Sequence, residues 1–190
     1  MPVSEETIAS ARMGGGDVVL TPQRSVPRSW LPSISGLSIL ELASGVGQQC
    51  PVSMFGFAAT GACVTELDNS PLQLEQDQFF ARRDGLSITS ILGDMRDLSQ
   101  FPSEFLDLVF NPCSMSFVSD PHVVCRQSDR VLKRGFRLLC GLTNPAKFIF
   151  DEDKLAKKQF EVRHQLPYSD TTHLSTEESQ KLRSENEPFM

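Results

Sequence analysis

The sequence contains no segment that marks a membrane or secreted protein. No apolar run approaches the roughly 20 residues that a helix needs to cross a bilayer. The N-terminus also lacks a charged stretch followed by an apolar stretch, which is the pattern of a secretory signal peptide. We therefore expect a cytoplasmic protein that has no membrane partner.

Positive charge is also scarce. The formal net charge is −6 at pH 7, and the sequence pI is about 5.1. No basic cluster is longer than Lys157-Lys158. Because a protein that follows a phosphate backbone needs a basic face, this composition disfavours nucleic acid as a partner.

The cysteine pattern argues against a metal site and against a disulfide framework. The five cysteines are an odd number, and none of them forms a C-x-x-C pair. We expect no bound metal, and we expect most of the cysteines to be small buried apolar residues. Cys113 is the exception, because it follows Asn111-Pro112 at the predicted mouth of a site.

What the sequence does contain is typical of one globular domain. Its 190 residues are 39% apolar and 22% charged. A chain of this length buries roughly 70% of its unfolded surface when it folds. That is enough to build an independent core.

The most informative segment runs from Ser38 to Ser70. It holds an apolar strand that ends in Glu41, a small-residue loop at 43–47, a helix-like stretch, and a second apolar strand that ends in Asp68. Asp68 follows Gly47 by 21 residues. A strand, a glycine loop, a helix and an acid at this distance predict the opening βαβ unit of a nucleotide-binding fold.

The glycine pattern indicates which nucleotide is favoured. A dinucleotide fingerprint requires G-x-G-x-x-G, and the third position falls on Gln48 or Cys50 in the two possible registers. The third glycine lets the helix pack closely while pyrophosphate sits at its N-terminus. Its absence favours an adenosine ligand without a pyrophosphate, and leaves a nicotinamide-dependent oxidoreductase as a less favoured alternative.

The remaining pattern alternates strands with helical segments, which predicts a parallel sheet with helices on both faces. We predict an α/β, Rossmann-like doubly wound sheet of strand order 3-2-1-4-5 that lacks strands six and seven. The predicted strands are 37–42, 62–67, 86–92, 105–110 and 136–141, and the predicted helices are 47–61, 71–83 and 120–134.

Three regions are predicted along the chain. Residues 1–36 form an N-terminal lead, residues 37–150 form the nucleotide-binding core, and residues 151–190 form a helical extension of the same domain. Trp30, the only tryptophan, either fixes the lead on the core or forms a wall of the ligand cleft.

Five motifs in the same order resemble those of class I S-adenosylmethionine (SAM)-dependent methyltransferases. The loop at 41–47 resembles the motif D/E-x-G-x-G-x-G, with Ala43 at its first glycine. Because this position must accept a Cβ, we do not expect a positive φ there. The other matching segments are Val64–Ser70, Gly93–Met95, Phe105–Pro112 and Arg130–Gly135.

The resemblance implies SAM as the cofactor. It does not identify the substrate, which we expect to be a small-molecule methyl acceptor. In the family the acid matching Asp68 binds the ribose, and the residues matching Asp94 and Met95 contact the adenine. The implied cofactor-binding residues are Glu41, Ala43, Ser44, Gly45, Gly47, Asp68, Asn69, Gly93, Asp94, Met95, Asn111 and Pro112. The candidate substrate contacts are Cys113, Ser114, Phe117 and Tyr168, together with His164.

A narrower resemblance is to a subgroup of uncharacterised bacterial methyltransferases. The matching strings are LASGVGQQ, DNSPLQLEQD, FNPCSMSFVSD, NPAKFIFD and LPYSD. In that subgroup the chain continues with the sixth and seventh strands, so we expect either a short protein or a fragment. Without those strands the fifth strand is an exposed edge, which favours a homodimer.

Two departures from the family leave a second hypothesis open. Phe136 stands where the family has glycine, and Cys125 stands where the subgroup has tryptophan. These differences would also fit a truncated, non-catalytic module that binds SAM or a partner chain.

Overall fold

The protein is described from a computed structural model, over residues 4–15, 17–21, 24–43, 51–142 and 144–184. Two compact units are present. The first comprises residues 1–115 and 120–142, and the second comprises 116–119 and 143–190. Each unit is described by itself.

A parallel sheet of five strands organises the first unit. A two-stranded antiparallel ribbon, β1 and β2, precedes it in the chain and was not predicted. The strands are β1 (Val19–Thr21), β2 (Arg24–Ser25), β3 (Ser38–Leu42), β4 (Cys63–Asp68), β5 (Ile88–Leu92), β6 (Leu106–Asn111) and β7 (Leu132–Cys140). The large sheet has the order β5-β4-β3-β6-β7, with every pair parallel. Counted within that sheet, this is the predicted order 3-2-1-4-5.

Helices flank the sheet and begin at clear signals. In α3, the Ser70 hydroxyl accepts the Gln73 amide and Pro71 fills the first helical position, as predicted. Asp120 caps α4 in the same way. The helices of the first unit are α1 (Glu5–Arg12), α2 (Pro51–Ala59), α3 (Pro71–Arg83) and α4 (Pro121–Val131).

The core lies between the sheet and α2. Met54, Phe55 and Phe57 are each at most 1% exposed, which confirms their predicted packing role. The Phe57 ring meets Phe110 of β6 edge to face, with ring centroids 5.3 Å apart. This contact fixes α2 over the middle of the sheet.

The prediction for the inward face of α3 was wrong at two positions. Leu72 and Phe79 are 65% and 60% exposed, whereas Phe80 is partly buried. The buried face instead carries Leu74, Asp77 and Ala81, which recur at helical spacing. Because Asp77 is a buried acid, the inward face of α3 does not form a continuous apolar stripe in the sequence.

The boundary between α4 and β7 also differs from the prediction. The helix ends at Val131 rather than Arg134, and the strand begins directly afterwards. The register against β6 shifts between Leu106 and Leu108, and Gly135 takes φ +82° in the irregular stretch. Of the expected buried residues, Val124 and Val131 are buried, while Val123 and Leu132 are only partly so.

The expectation that most cysteines are buried was also wrong for the described residues. Cys63 and Cys125 are exposed, Cys140 is half-buried and only Cys113 is buried. Cys63 starts a strand and Cys125 lies on the outer side of α4, so neither position faces the core.

The second unit consists of short helices joined by loops. It contains α5 (Glu152–Ala156), α6 (Asp170–His173) and α7 (Thr176–Ser184). Among its described residues, the only strand-like pairing is one antiparallel bridge between Phe150 and Val162. None of the helices described here is both long and apolar enough to cross a membrane.

Candidate active site

The predicted site residues of the first unit converge on the carboxyl edge of the parallel sheet. Asp68 ends β4, Asn111 ends β6, and the segment 93–95 directly follows β5. Backbone hydrogen bonds join the strand ends: the Ala43 amide donates to Leu67 at 2.8 Å, and the Gly93 amide donates to Asp68 at 2.9 Å. In doubly wound sheets this edge, at the strand-order reversal beside β3, is where ligands bind.

Asp68 supplies a constrained carboxylate at this edge. It is 8% exposed, and its Oδ1 accepts the Ser70 amide at 2.8 Å. Burial raises the pKa of Asp68, while the amides of Ser70 and Asn69 oppose that shift. The turn beginning at Ser70 therefore holds the carboxylate in one orientation, and Asn69 itself is exposed.

The turn after β3 corrects one expectation. Ala43 has φ +49°, in the left-handed region that was not expected for a residue with a Cβ. Its hydrogen bond to Leu67 holds the backbone in this conformation. The left-handed conformation costs a non-glycine residue about 1–2 kcal/mol. Ser44, Gly45 and Gly47 lie outside the described residues.

Glu41 is fully buried at the end of β3. Its Oε1 accepts a hydrogen bond from the Ser53 hydroxyl of α2 at 2.8 Å. Burial raises the pKa of Glu41 from 4.5 to about 8, so the side chain is mainly protonated at neutral pH. Its Oε2 has no hydrogen-bond partner among the described residues.

Sequence reasoning missed a buried acidic cluster beside Glu41. Glu66 on β4 lies directly opposite Glu41 in the parallel register, and Asp77 reaches the same region from α3. Ser90 of β5 donates a short hydrogen bond to Glu66. Burial raises the pKa of Glu66 to about 9 and that of Asp77 to about 6. The available signal was strand alternation, since Glu66 shares a face with Asp68.

The segment after β5 crosses the carboxyl edge. Met95 Sδ lies 3.6 Å from Asn111 Nδ2, although β5 and β6 are three strand positions apart. At about 4.8 Å per strand, the segment therefore spans the ends of β4 and β3. Asp94 is exposed and pairs with Arg96 through both carboxylate oxygens, which lowers the pKa of Asp94.

The turn after β6 is tightly bonded. Asn111 is fully buried, and its Oδ1 accepts the Ser114 hydroxyl at 2.8 Å. That hydroxyl also lies 3.3 Å from the carbonyl of Leu42 at the end of β3. Pro112 is buried, and Cys113 has φ +59°. Asn111 and Ser114 thus connect β3 to β6 beside the switch point.

The surroundings of Cys113 disfavour a reactive thiol. It is 6% exposed, and its thiol donates to the Leu20 carbonyl, 3.0 Å away. Burial raises the pKa of the Cys113 thiol, which disfavours the reactive thiolate.

The other two predicted substrate contacts lie in the second unit. Phe117 is 49% exposed. Tyr168 packs in a ring cluster with Phe148, His164 and His173, and its hydroxyl donates to Asp170 at 2.7 Å. Among the residues the structure describes, no group of His, Cys, Asp and Glu side chains is arranged to hold a metal.

The fold and the site at the carboxyl edge of the sheet agree with the family to which the sequence belongs. The methyltransferase domain family matches residues 40–140, and the chain belongs to that family. It is 42% identical over 185 residues to the uncharacterized methyltransferase YbaJ of Bacillus subtilis (strain 168), covering 97% of this chain and 71% of that protein.

Solved structures show the same fold. An S-adenosylmethionine-dependent methyltransferase from Mesorhizobium loti superposes with a TM-score of 0.55 at 18% identity, covering 85% of this chain and 91% of that one. The arsenic(III) S-adenosylmethionine methyltransferase CrArsM from Chlamydomonas reinhardtii gives 0.52 at 23% identity, covering 72% of this chain and 44% of that one. This chain therefore spans less than half of the arsenic enzyme's length.

Proposed function

We propose that the protein binds SAM at the carboxyl edge of its sheet and transfers the methyl group to a small-molecule acceptor. The observation that carries this proposal is the Asp68 carboxylate, fixed at the end of β4 beside the turn at Ala43. An ionised carboxylate accepts two hydrogen bonds from a ribose diol, and such charge-assisted bonds are strong.

The neighbouring residues fit this cofactor in part. Glu41 Oε2 is buried, lacks a partner among the described residues and lies on the strand preceding the loop. An ammonium group beside it, such as that of the methionyl moiety, would favour the ionised form of Glu41 and lower its pKa. Met95 and Gly93 follow β5, where the adenine is expected. Asp94 fits less well, because Arg96 already engages both of its oxygens.

The bound cofactor supplies an electrophilic methyl group, and this chain's own residues have a limited task. They align the acceptor near that methyl group and exclude water from it. A general base is required only where the acceptor must lose a proton. Glu41 and Glu66 are not suited to that role while protonated, and burial disfavours the thiolate form of Cys113.

Calorimetric titration separates the candidate functions. We expect SAM to bind and NADH not to bind, whereas the reverse result would favour the oxidoreductase. If SAM binds, the release of S-adenosylhomocysteine in the presence of candidate acceptors tests transfer. The departures from the family at Phe136 and Cys125 favour the non-catalytic module as the second candidate, and SAM binding without product over a broad acceptor panel would support it.

A further inference from the structure

A cavity of about 180 Å³ lies in the first unit, away from the carboxyl edge. Its walls come from α1, the ribbon region, the segment before β3 and the second half of α2. Ile34 precedes β3, and Thr60 follows α2 just before β4, so the cavity borders the amino ends of the strands. It is therefore separate from the proposed SAM site, which lies at their carboxyl ends.

The floor of the cavity is apolar. It is formed by Ala11, Val18, Val26, Leu31, Ile34 and Phe57. An engineered apolar cavity of roughly 150 Å³ accommodates benzene, so a branched aliphatic side chain is a suitable size for this one. The hydroxyl proton of Thr60 is not available to a ligand, because it is already donated to the Gly56 carbonyl at 2.7 Å.

Two opposite charges line the same cavity without meeting each other. Arg28 is exposed, and among the described residues it donates one long hydrogen bond, from Nη1 to the Gly14 carbonyl at 3.3 Å. Asp17 is also exposed, and no hydrogen bond or ion pair joins it to Arg28 among the residues that the structure describes. A guanidinium and a carboxylate left apart on one rim match a ligand that carries both charges.

We propose that this cavity binds a free α-amino acid with a branched aliphatic side chain. Arg28 binds its carboxylate, Asp17 binds its ammonium group, and the apolar floor receives its side chain. The guanidinium offers paired donors that suit a carboxylate, and the apolar floor favours aliphatic over polar side chains.

Ligand truncation tests the two charge contacts separately. The wild-type chain is titrated by calorimetry and by NMR with L-valine, L-leucine and L-isoleucine. Two further probes are 4-methylpentanoate, which lacks the ammonium, and 3-methylbutylamine, which lacks the carboxylate. We expect at least one amino acid to bind, and each truncated probe to bind at least tenfold more weakly.

Variants locate the binding. Arg28→Gln and Asp17→Asn remove the two charges, and each is expected to weaken amino-acid binding at least tenfold. Arg82→Gln removes an exposed charge on α3 and is expected to leave it unchanged. SAM affinity is expected to be the same in all three variants, which shows that they fold and that the two sites are independent.

The remaining results would overturn the proposal. These are no binding of any of the three amino acids, equal binding of 4-methylpentanoate and leucine, or unchanged amino-acid binding in both rim variants. If the wild-type chain does not bind SAM, the proposed function is wrong. The amino-acid titration still tests the cavity independently.

Discussion

At the scale of single residues, Asp68 carries the proposed cofactor site. Asp68→Ala is expected to weaken SAM binding by about 1.5–3 kcal/mol, the range for losing hydrogen bonds to a charged group. Calorimetric titration measures the change. Asp97→Ala is the matched control, since this exposed acid accepts the Ser99 amide after β5. A dissociation constant that Asp68→Ala leaves unchanged would refute the ribose assignment.

Glu66 is a buried acid whose protonation is linked to folding. Its pKa rises from 4.5 to about 9 in the folded chain, so the folded state holds an extra proton between those pH values. Stability is therefore greatest at the acid end of this window and falls as the pH rises through it. Glu41, with a pKa of about 8, adds a change of the same sign.

Glu66→Gln removes the titrating group and keeps a neutral polar side chain. We expect the variant to be at least about 1 kcal/mol more stable than the wild type at pH 9, with the difference shrinking toward pH 5. Urea unfolding at both pH values measures it. Glu75→Gln, on the exposed side of α3, is expected to show no such trend. Equal pH profiles for Glu66→Gln and the wild type would show that Glu66 is not protonated in the folded chain.

At the scale of elements, two glycines differ sharply in what surrounds them. Among the described residues, a Cβ on Gly56 of α2 would meet only the Ala11 Cβ, 4.0 Å away, whereas one on Gly141 would lie 2.3 Å from the Leu20 carbonyl oxygen. Gly56→Ala is expected to raise the free energy of unfolding by about 0.5–1 kcal/mol through helix propensity. Thermal and urea unfolding measure this gain.

Gly141→Ala is the contrasting change. The contacted Leu20 and Cys113 atoms belong to the backbone and cannot move aside cheaply. We expect a loss of at least about 1 kcal/mol, the lower end for overpacking in a close-packed interior. A neutral Gly141→Ala variant would mean that the ribbon region does not pack against the end of β7.

The elements also show where sequence reasoning succeeded. Strand order follows from alternating strands and helices, because right-handed crossovers allow few topologies, and Asp68 follows from its position at a strand end. The positive φ of Ala43 was not predictable, because a bond to Leu67 on the neighbouring strand imposes it. Glu66 was hidden for a similar reason, since its burial depends on α3 and β5 rather than on its own strand.

At the scale of the whole molecule, we propose that copies of the chain associate through the edge strand β7. Within the part of the chain that is described, β7 pairs only with β6, which leaves one edge for another chain. Its exposed stretch carries Arg134, which pairs with the exposed Glu104 at 3.0 Å, and Arg137. Repulsion between these positive charges on two copies opposes self-pairing. We therefore propose a homodimer that is favoured when salt screens this repulsion.

Light scattering after gel filtration tests this. The dimer fraction is expected to be larger in 0.5 M salt than at about 0.05 M, because the Debye length shortens severalfold. Arg134→Glu would place opposite charges along a self-paired edge and is expected to reduce the salt dependence. A monomer that persists at high concentration in both buffers would exclude edge pairing.

The contact between Met95 and Asn111 has a practical consequence. It places the Met95 thioether beside Asn111 at the end of β6, on the sheet edge where the adenosine of the cofactor is proposed to bind. An occupant of that edge changes the magnetic surroundings of the Met95 methyl group. Carbon-13 labelling of methionine would therefore provide a built-in spectroscopic reporter of occupancy, and Met95→Leu would assign its resonance.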